Sequence, residues 1–511
     1  MKRFSGKHTS SLSSSSSSAS AKYGSISRRS EVETTNIPST TASTTSKGAT
    51  ITSSVINLTN TIIGAGMLGL PGAFGGTGYV SGIILIVLSA AFAAHGLVLL
   101  TKVANLTGRP CSFYSVARAA VPKYTVLIDA AVALNCFGTA VGYLVTISFS
   151  MVKVLEQVLL TGDAANDDGL LISLLLTRHT WVVGALISVL PFSFYRTLDE
   201  LKKASALALV FVFILVCMIL VYANGIADPC MGESENGEGT CKGDVEPYTN
   251  FALTVSRLPV FVFAFSCHQN IFPIVNEMEI ASQKRLDIVI SISIGFALVL
   301  YATVAAEGYR TYGSLVRGDI LLNYPENGPV TFLRLCIAFM LTLHYPLHLD
   351  PSRRCLTSLV KVIMKWWHQQ PTDPNANDGE SSDTPEMERE DSVQTLESEL
   401  FNDETSHFEM SNERRMQQQT HDDDRLFYII TITFLASSFI LASIVDDLGV
   451  ILALVGATGS TLVSFVLPGL IYIKLYPNKD LSLVMAYVQL LLGIVITPLA
   501  LYLIIIEHLN K

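Results

Sequence analysis

Two apolar stretches of the sequence carry residues that a continuous membrane helix rarely contains. The first, SSVINLTNTIIGAGMLGLPGAF (residues 53–74), includes Gly64, Gly66 and Pro71, and these residue types weaken or interrupt a helix. In hydrocarbon an unpaired backbone group is costly, so a break survives only where protein or a ligand satisfies the freed groups. Freed amides can receive a carboxylate and freed carbonyls can coordinate a cation. Gly64–Ala65–Gly66 therefore predicts a ligand site formed by backbone, although small residues also serve close helix packing.

The second stretch, FVFAFSCHQNIFPIVNEME (residues 261–279), contains the polar run SCHQN, which begins at Ser266. Pro273 lies seven residues after Ser266, the interval that also separates Gly64 from the proline of the first stretch. Two interrupted segments are what two inverted helix repeats would place at a shared binding site near the midplane. Ser266 and His268 are therefore candidate substrate-binding residues. His268 is either a proton-sensitive group or only a hydrogen-bonding link between helices, and the sequence leaves both open.

A third stretch, FMLTLHYPLHLDPSRR (residues 339–354), supplies a hydroxyl oxygen from Thr342. Asn60, one turn before the first break, supplies an amide oxygen. Oxygen ligands suit a small hard cation, so Asn60 and Thr342 predict a sodium site. The alternative for Thr342 is a bond to a carbonyl of its own helix. No cofactor other than this coupling ion is predicted.

The composition shows which elements must position these residues. The chain has 511 residues, 50% of them hydrophobic and 15% charged, with a mean hydropathy of +0.44, which is too apolar for a soluble protein of this size. Runs of about 20 apolar residues match a hydrocarbon core about 30 Å thick. We therefore predict an all-α integral membrane protein with about eleven transmembrane helices. The predicted spans are 52–74, 79–101, 126–152, 180–195, 204–224, 251–275, 287–308, 329–349, 427–445, 448–473 and 482–506.

The charges of the loops predict the orientation of the spans. The loop 102–123 contains four Lys or Arg residues and no acid, and the later basic loops fall on the same side. That side is predicted to be cytoplasmic, which places the N-terminus in the cytoplasm. The loop near 225–250 then lies on the opposite side, where Cys230 and Cys241 are expected to form a disulfide in an oxidising compartment. Two free thiols are the alternative.

Two polar segments lie outside the predicted spans. Residues 1–48 are rich in Ser and Thr, and residues 371–424 contain 17 Asp or Glu against three Arg. Both are predicted to be disordered and cytoplasmic, and both are candidate binding sites for cytoplasmic regulators. They flank two membrane segments, 51–368 with spans one to eight and 427–506 with the last three. Because the 371–424 loop carries the acidic surplus, the net charge gives no information about the substrate, and no nucleic-acid partner is predicted.

The three stretches resemble helices of the amino acid/auxin permease family, which includes sodium-coupled neutral amino acid transporters and yeast vacuolar amino acid transporters. Residues 53–74 resemble its first helix and FAFSCHQNIFPIVNEM resembles its sixth. Pro346 and Pro351-Ser-Arg353 fit the ending of its eighth. The resemblance implies a leucine-transporter-type fold of two inverted five-helix repeats plus one helix, lying in a lipid bilayer.

The resemblance also implies roles for individual residues. The substrate would be an amino acid whose carboxylate lies near the Gly64–Gly66 amides and whose ammonium lies near backbone carbonyls around Ser266. Asn60 and Thr342 match positions that hold sodium in sodium-coupled relatives, while His344 and Tyr345 depart from the small residues expected beside Thr342.

These observations predict a secondary active transporter of neutral amino acids, coupled to a sodium or proton gradient by alternating access. A second hypothesis is a membrane sensor that binds an amino acid and signals through its tail or loop. An enzyme is not predicted, because the sequence lacks the Walker, HExxH and Gly-x-Ser-x-Gly motifs that such chemistry would need. The predicted location is a vacuolar or lysosomal membrane or the plasma membrane, and the sequence does not choose between them.

Overall fold

The computed structural model describes residues 48–161, 170–195, 202–230, 241–368, 423–476 and 480–509. Within these ranges the chain is almost entirely helical, and its β structure is a single isolated bridge between Ala49 and Met278. The predicted disordered segments, 1–48 and 371–424, lie outside the described residues except at their edges. The all-α prediction is confirmed.

The helices follow the apolar runs of the sequence. Thr50 caps the first of them by accepting a hydrogen bond from the Ser53 amide, which is the usual way to satisfy an N-terminal amide. The helices are α1 (Ile51–Ile62), α2 (Gly66–Thr77), α3 (Tyr79–Thr107), α4 (Phe113–Ala120), α5 (Thr125–Thr161), α6 (Leu170–Leu176), α7 (Arg178–Ser193), α8 (Lys202–Ala223), α9 (Phe251–Ala264), α10 (Ile271–Glu277), α11 (Gln283–Tyr312), α12 (Gly328–His368), α13 (Asp423–Ile444), α14 (Leu448–Val455), α15 (Leu467–Leu475) and α16 (Leu481–Leu509).

Both predicted interruptions are present. Helices α1 and α2 meet at an angle of 52° across a break of three residues. Helix α9 ends at Ala264 and α10 begins at Ile271, with a short 3₁₀ turn at His268–Asn270 between them. The first and sixth predicted spans are thus each built from two helical pieces, as the glycines and prolines of the sequence indicated.

The number of spans is resolved less fully than their order. Among the described residues, eight helices are long and apolar enough to cross a membrane, and the bent α1–α2 pair makes nine. The predicted spans 180–195 and 204–224 correspond to α7 and α8, of which α8 contains a shorter apolar segment, Leu207–Ala223. The total of eleven therefore stays a prediction.

A strap of irregular chain, residues 313–327, crosses the bundle at the end where α2 terminates. It packs against α2 so closely that a Cβ on Gly72 would lie 2.7 Å from the Arg317 carbonyl oxygen. A cavity of ≈440 Å³ lies between the strap, α2 and the start of α14, and is lined by Asp319 and Asp447 among others. Asp319 caps a 3₁₀ turn by accepting the Leu321 amide at 3.0 Å.

We expect Asp319 to make the stability of the strap depend on pH. Burial raises its pKa from 3.8 to about 7, and the nearby Asp447 carboxylate acts in the same direction. A raised pKa means that the folded state favours the neutral form of Asp319. The contribution of this carboxyl group to the free energy of unfolding is therefore full below about pH 4 and is lost as the pH rises through 7. In detergent, the melting temperature of the wild type should fall between pH 5 and 8 by roughly 2 °C more than that of Asp319→Asn. The control is Asp244→Asn, because Asp244 is exposed and lies at the same end of the protein; its melting temperature should change with pH as that of the wild type does. If the melting temperatures of the wild type and Asp319→Asn changed in parallel with pH, the role of Asp319 would be contradicted.

The predicted disulfide is present, since Cys230 and Cys241 are joined with a Cα–Cα distance of 5.6 Å. The six other cysteines are free thiols. Closing a loop of this size should stabilise the protein by about 3 kcal/mol through the unfolded state. Mass spectrometry without reduction should show the two cysteine peptides linked, and replacing both with Ser should lower the melting temperature. Alkylation of Cys230 and Cys241 in the unreduced, unfolded protein would show that the bond does not form.

Candidate functional site

The α1–α2 break leaves two backbone amides, those of Ala65 and Gly66, without a hydrogen-bond partner among the described residues. The Met67 amide donates to the Gly64 carbonyl at 3.2 Å and the Leu68 amide to the Ala65 carbonyl at 3.0 Å. The amides of Ala65 and Gly66, at the very start of α2, have no earlier helical carbonyl to reach. The positive end of the α2 dipole also lies here. The start of α2 therefore has the free amides and the dipole orientation that suit an anionic group.

Other groups of the break are satisfied by α11. The Tyr301 hydroxyl donates to the Ile62 carbonyl at 2.7 Å and is also a hydrogen-bond partner of the Gly64 backbone. Tyr301 is fully buried. This side chain fixes the angle at which α1 ends and leaves the next two amides as the ones available to a ligand.

The two glycines of the break are required by close contacts. A Cβ on Gly64 would lie 2.7 Å from the Tyr143 hydroxyl of α5. A Cβ on Gly66 would lie 3.0 Å from the Ala264 Cα at the end of α9. Glycine is thus needed at both positions, and the two broken helices contact each other directly through Gly66.

Ser266 belongs to a buried hydrogen-bond cluster at the second break. The Asn135 amide nitrogen of α5 lies 3.4 Å from the Ser266 hydroxyl, and the Ser464 hydroxyl lies 3.3 Å from it. Ser460 donates to the Asn135 amide oxygen at 2.6 Å. Both of the latter serines lie in π-helical turns between α14 and α15, a feature often found at functional sites. Ser266 is thereby held in place rather than projecting into open space.

His268 faces α3. Its ring is fully buried, and its Nε2 lies 2.8 Å from the position a Cβ would take on Gly96. The imidazole therefore packs between helices, on the side of the break toward α3.

A cavity of ≈620 Å³ leads toward the breaks from the end of the bundle where α1 begins. Its volume lies within the range typical of small-molecule sites. Of the residues predicted from the sequence, Asn60 lines this cavity. Gln269 lines it too, is 5% exposed, and has neither amide atom paired within the described chain. The Ala65 and Gly66 amides lie one turn further in than Asn60.

The two predicted sodium ligands have different partners. Thr342 donates to the Ala338 carbonyl of its own helix at 2.9 Å and lies 3.4 Å from the Ser188 hydroxyl of α7. The Asn60 amide oxygen instead pairs with His344 at 3.2 Å. Residues two apart in an α-helix point about 200° apart, so His344, and not Thr342, is the α12 residue that faces α1.

One turn beyond His344 on the same helix face, His348 Nε2 lies 3.1 Å from the Tyr143 hydroxyl. The sequence singled out none of Tyr143, Gln269 and His348. For Gln269 a signal existed, because it lies in the polar run of the second stretch. Tyr143 and His348 carry no signal within their own helices, since their importance comes from the partner helix that each contacts.

Comparisons with known proteins agree with the fold and with the sequence resemblance. The structure resembles that of Mhp1, a nucleobase-cation-symport-1 family transporter in a closed conformation, with a TM-score of 0.51, 11% identity and coverage of 90% of this chain and 92% of the other. The leucine-transporter-type fold is thereby supported.

The sequence is 32% identical to vacuolar amino acid transporter 5 of Schizosaccharomyces pombe, covering 82% of this chain and 83% of that protein. It is 30% identical to vacuolar amino acid transporter 6 of Saccharomyces cerevisiae, covering 84% and 90%. The family model described as "Transmembrane amino acid transporter protein" matches residues 47–509. The chain therefore belongs to the transmembrane amino acid transporter protein family.

Proposed function

We propose that this protein transports neutral amino acids across an organelle membrane by alternating access at the α1 break. The observation that carries the proposal is the pair of amides at Ala65 and Gly66, which begin a half-helix and have no hydrogen-bond partner among the described residues. Asn60 and Thr61, the residues shortly before this half-helix, line a cavity large enough for an amino acid. A carboxylate is the group common to all amino acids, and it is the group that such a helix start binds.

The polar groups of the cavity support a neutral substrate. Gln269, Asn60 and Asn270 line it with amides, which hydrogen-bond without preferring one charge. The Asp350 carboxylate, which also lines it, is paired with Arg354 at 2.7 Å and with Arg353 at 3.3 Å. Because Asp350 is already neutralised by arginines, it provides little attraction for a cationic side chain. Of the other acids that line the cavity, Asp129 bonds to Ser358 and Cys355, and Glu277 is the last residue of α10.

The carbonyls of the second break provide the complementary half of the site. The chain between Ala264 and Ile271 leaves α-helical geometry, so carbonyls near Ser266 are released from regular pairing. An ammonium group would be stabilised there while the carboxylate contacts the start of α2. Substrate binding would thus draw the two broken helices together across Gly66.

Two further observations support a choice of membrane and orientation. The names of the two relatives above place them in vacuoles, which supports a vacuolar or lysosomal-type membrane for this chain over the plasma membrane. The Lys and Arg residues of the loops support a cytoplasmic N-terminus, and the 1–48 and 371–424 segments would then face cytoplasmic regulators. The coupling ion would be a proton or sodium.

Uptake into proteoliposomes tests the function directly. Purified protein is reconstituted, and a panel of labelled amino acids is offered with proton and sodium gradients imposed separately. Saturable uptake of neutral amino acids above that of protein-free vesicles would support the proposal. Amino acid binding without flux under either gradient would contradict it and would support a sensor.

Gly64→Val should lower the transport rate by roughly tenfold or more, because even the first added carbon would overlap the Tyr143 hydroxyl. The matched control is Gly295→Val in α11, where a Cβ would meet nothing within 4 Å. Uptake is measured at equal amounts of reconstituted, monodisperse protein. Wild-type uptake by Gly64→Val would show that the break does not form the substrate site.

Thr342→Ala should leave the ion dependence of uptake unchanged, because the Thr342 hydroxyl bonds to its own helix and to α7. The readout is uptake as a function of sodium concentration at fixed pH, compared with Ser188→Ala, which removes the α7 partner. A sodium activation that weakens in Thr342→Ala alone would instead support the sodium site predicted from the sequence.

A further inference from the structure

Two histidines of α12 lie on one helix face beside the break. His344 and His348 are four residues apart, so they point in the same direction, and both are nearly fully buried. The Tyr143 ring of α5 lies beside both of them, with its centroid 6.4 Å from that of His344 and 5.4 Å from that of His348. Buried imidazoles at such a depth call for a physical explanation.

The hydrogen bonds assign different states to the two rings. An amide oxygen can only accept, so the His344 Nε2 that contacts the Asn60 oxygen must carry a hydrogen. This contact occupies the oxygen that a sodium ion would need. At His348, Nε2 contacts the Tyr143 hydroxyl, which can either donate or accept. The other nitrogen, His348 Nδ1, is buried and has no partner among the described residues.

Tyr143 connects His348 to the substrate site. Its hydroxyl oxygen contacts His348 Nε2 and also lies 2.7 Å from the Cβ position of Gly64. The oxygen is thus placed between an imidazole and the backbone that begins the carboxylate site. A change in the direction of its O–H bond would be felt on both sides.

We propose that His348 binds the coupling proton and that Tyr143 conveys its protonation to the carboxylate of the bound amino acid. The inference rests on the proposed function, because it assigns the ion that drives transport at the same site. His344 is then a positioning residue that holds Asn60 and remains neutral.

The exchange involves one proton and no other change in covalent bonds. With His348 neutral and Nε2 unprotonated, the Tyr143 O–H donates to Nε2. When His348 gains a proton from solution, Nε2–H donates to the tyrosine oxygen, and the tyrosine O–H is released to donate to the carboxylate. The positive imidazolium and the negative carboxylate then stabilise each other through a short polar link. By thermodynamic linkage, proton binding and substrate binding strengthen each other equally.

The groups around His348 are consistent with this role. The titratable groups near it are Tyr143 and Cys136 on α5 and His344 on α12. On α7, the residue that contacts Thr342 of α12 is Ser188, which is uncharged. On α8, the described residue Tyr222 is titratable, and its hydroxyl accepts a hydrogen bond from Asn327, just before the start of α12.

Two acids that line the ≈620 Å³ cavity lie on the helices that carry Tyr143 and His348. They are Asp129 of α5, which bonds to Ser358 and Cys355, and Asp350, which is paired with Arg353 and Arg354. Both acids line the ≈620 Å³ cavity, as does Leu347, the residue next to His348. The cavity thus reaches Leu347, the chain neighbour of His348.

The first test uses the wild type alone. Calorimetry of neutral amino acid binding at pH 7, in two buffers of different ionisation enthalpy, should show uptake of about one proton per substrate bound. Over the range where free His348 is neutral and bound His348 is charged, the dissociation constant should fall about tenfold for each unit decrease in pH. Binding that takes up no proton would overturn the proposal without affecting the proposed function.

The second test uses variants in proteoliposomes. His348→Gln should lose accumulation driven by a proton gradient, and its remaining substrate exchange should become independent of pH. Tyr143→Phe should bind more weakly and should lose most of the pH dependence of binding, since the link is removed. His95→Gln is the control, because His95 bonds to Gln489 at 2.7 Å on the other side of the fold from α12, and it should match the wild type in both measurements.

The outcomes separate this inference from the proposed function. Proton-driven accumulation by His348→Gln would overturn the inference, as would wild-type accumulation driven by sodium but not by protons. Absence of any amino acid exchange in the wild type would overturn the proposed function and the inference with it.

Discussion

The whole arrangement depends on one constraint: a backbone group freed inside a membrane must find a partner. Where α1 ends, the Tyr301 hydroxyl is the hydrogen-bond partner of the Ile62 carbonyl and of the Gly64 backbone, which allows the helix to end inside the bundle. Glycine at the two contact points lets α5 and α9 approach closely. Among the described residues, none pairs with the Ala65 and Gly66 amides at the start of α2. The protein thus stabilises most of the break itself, and these two amides are the groups that the proposed carboxylate site uses.

The sequence predicted the elements better than their contacts. Apolar runs identify membrane helices because bilayer thickness sets their length, and glycine and proline identify breaks because they act within their own helix. Which side of α12 is turned toward α1 was not predictable in this way. Thr342 and His344 are two positions apart, and which of them meets Asn60 depends on the rotation of α12 against α1, which only packing against α5 and α7 determines. For the same reason, the sequence did not indicate Tyr143 and His348 as candidate site residues.

The two cavities on either side of the break differ in character, and this difference is suited to a membrane that separates unlike solutions. The cavity at the α1 end is lined by amides, hydroxyls and apolar side chains and contains three acids, of which Asp350 is paired to arginines. The cavity under the strap contains Asp319, whose pKa is raised to about 7 by burial. An acidic compartment on the strap side would keep this acid neutral and the strap firmly packed on α2.

The contacts of Asn60 bear on the proposed choice of coupling ion. A metal ion requires several oxygens free to point their lone pairs at one position. In this protein a ring N–H donates to the Asn60 oxygen, and the Thr342 hydroxyl donates to the Ala338 carbonyl of its own helix. On the same face of α12, His348 Nε2 contacts the Tyr143 hydroxyl and is the nitrogen proposed to take up the proton. A proton needs only one such lone pair and carries the same charge as sodium. Under this proposal the histidines of α12 select a proton as the coupling ion, and the proposed amino acid site on α1 and α9 is unchanged.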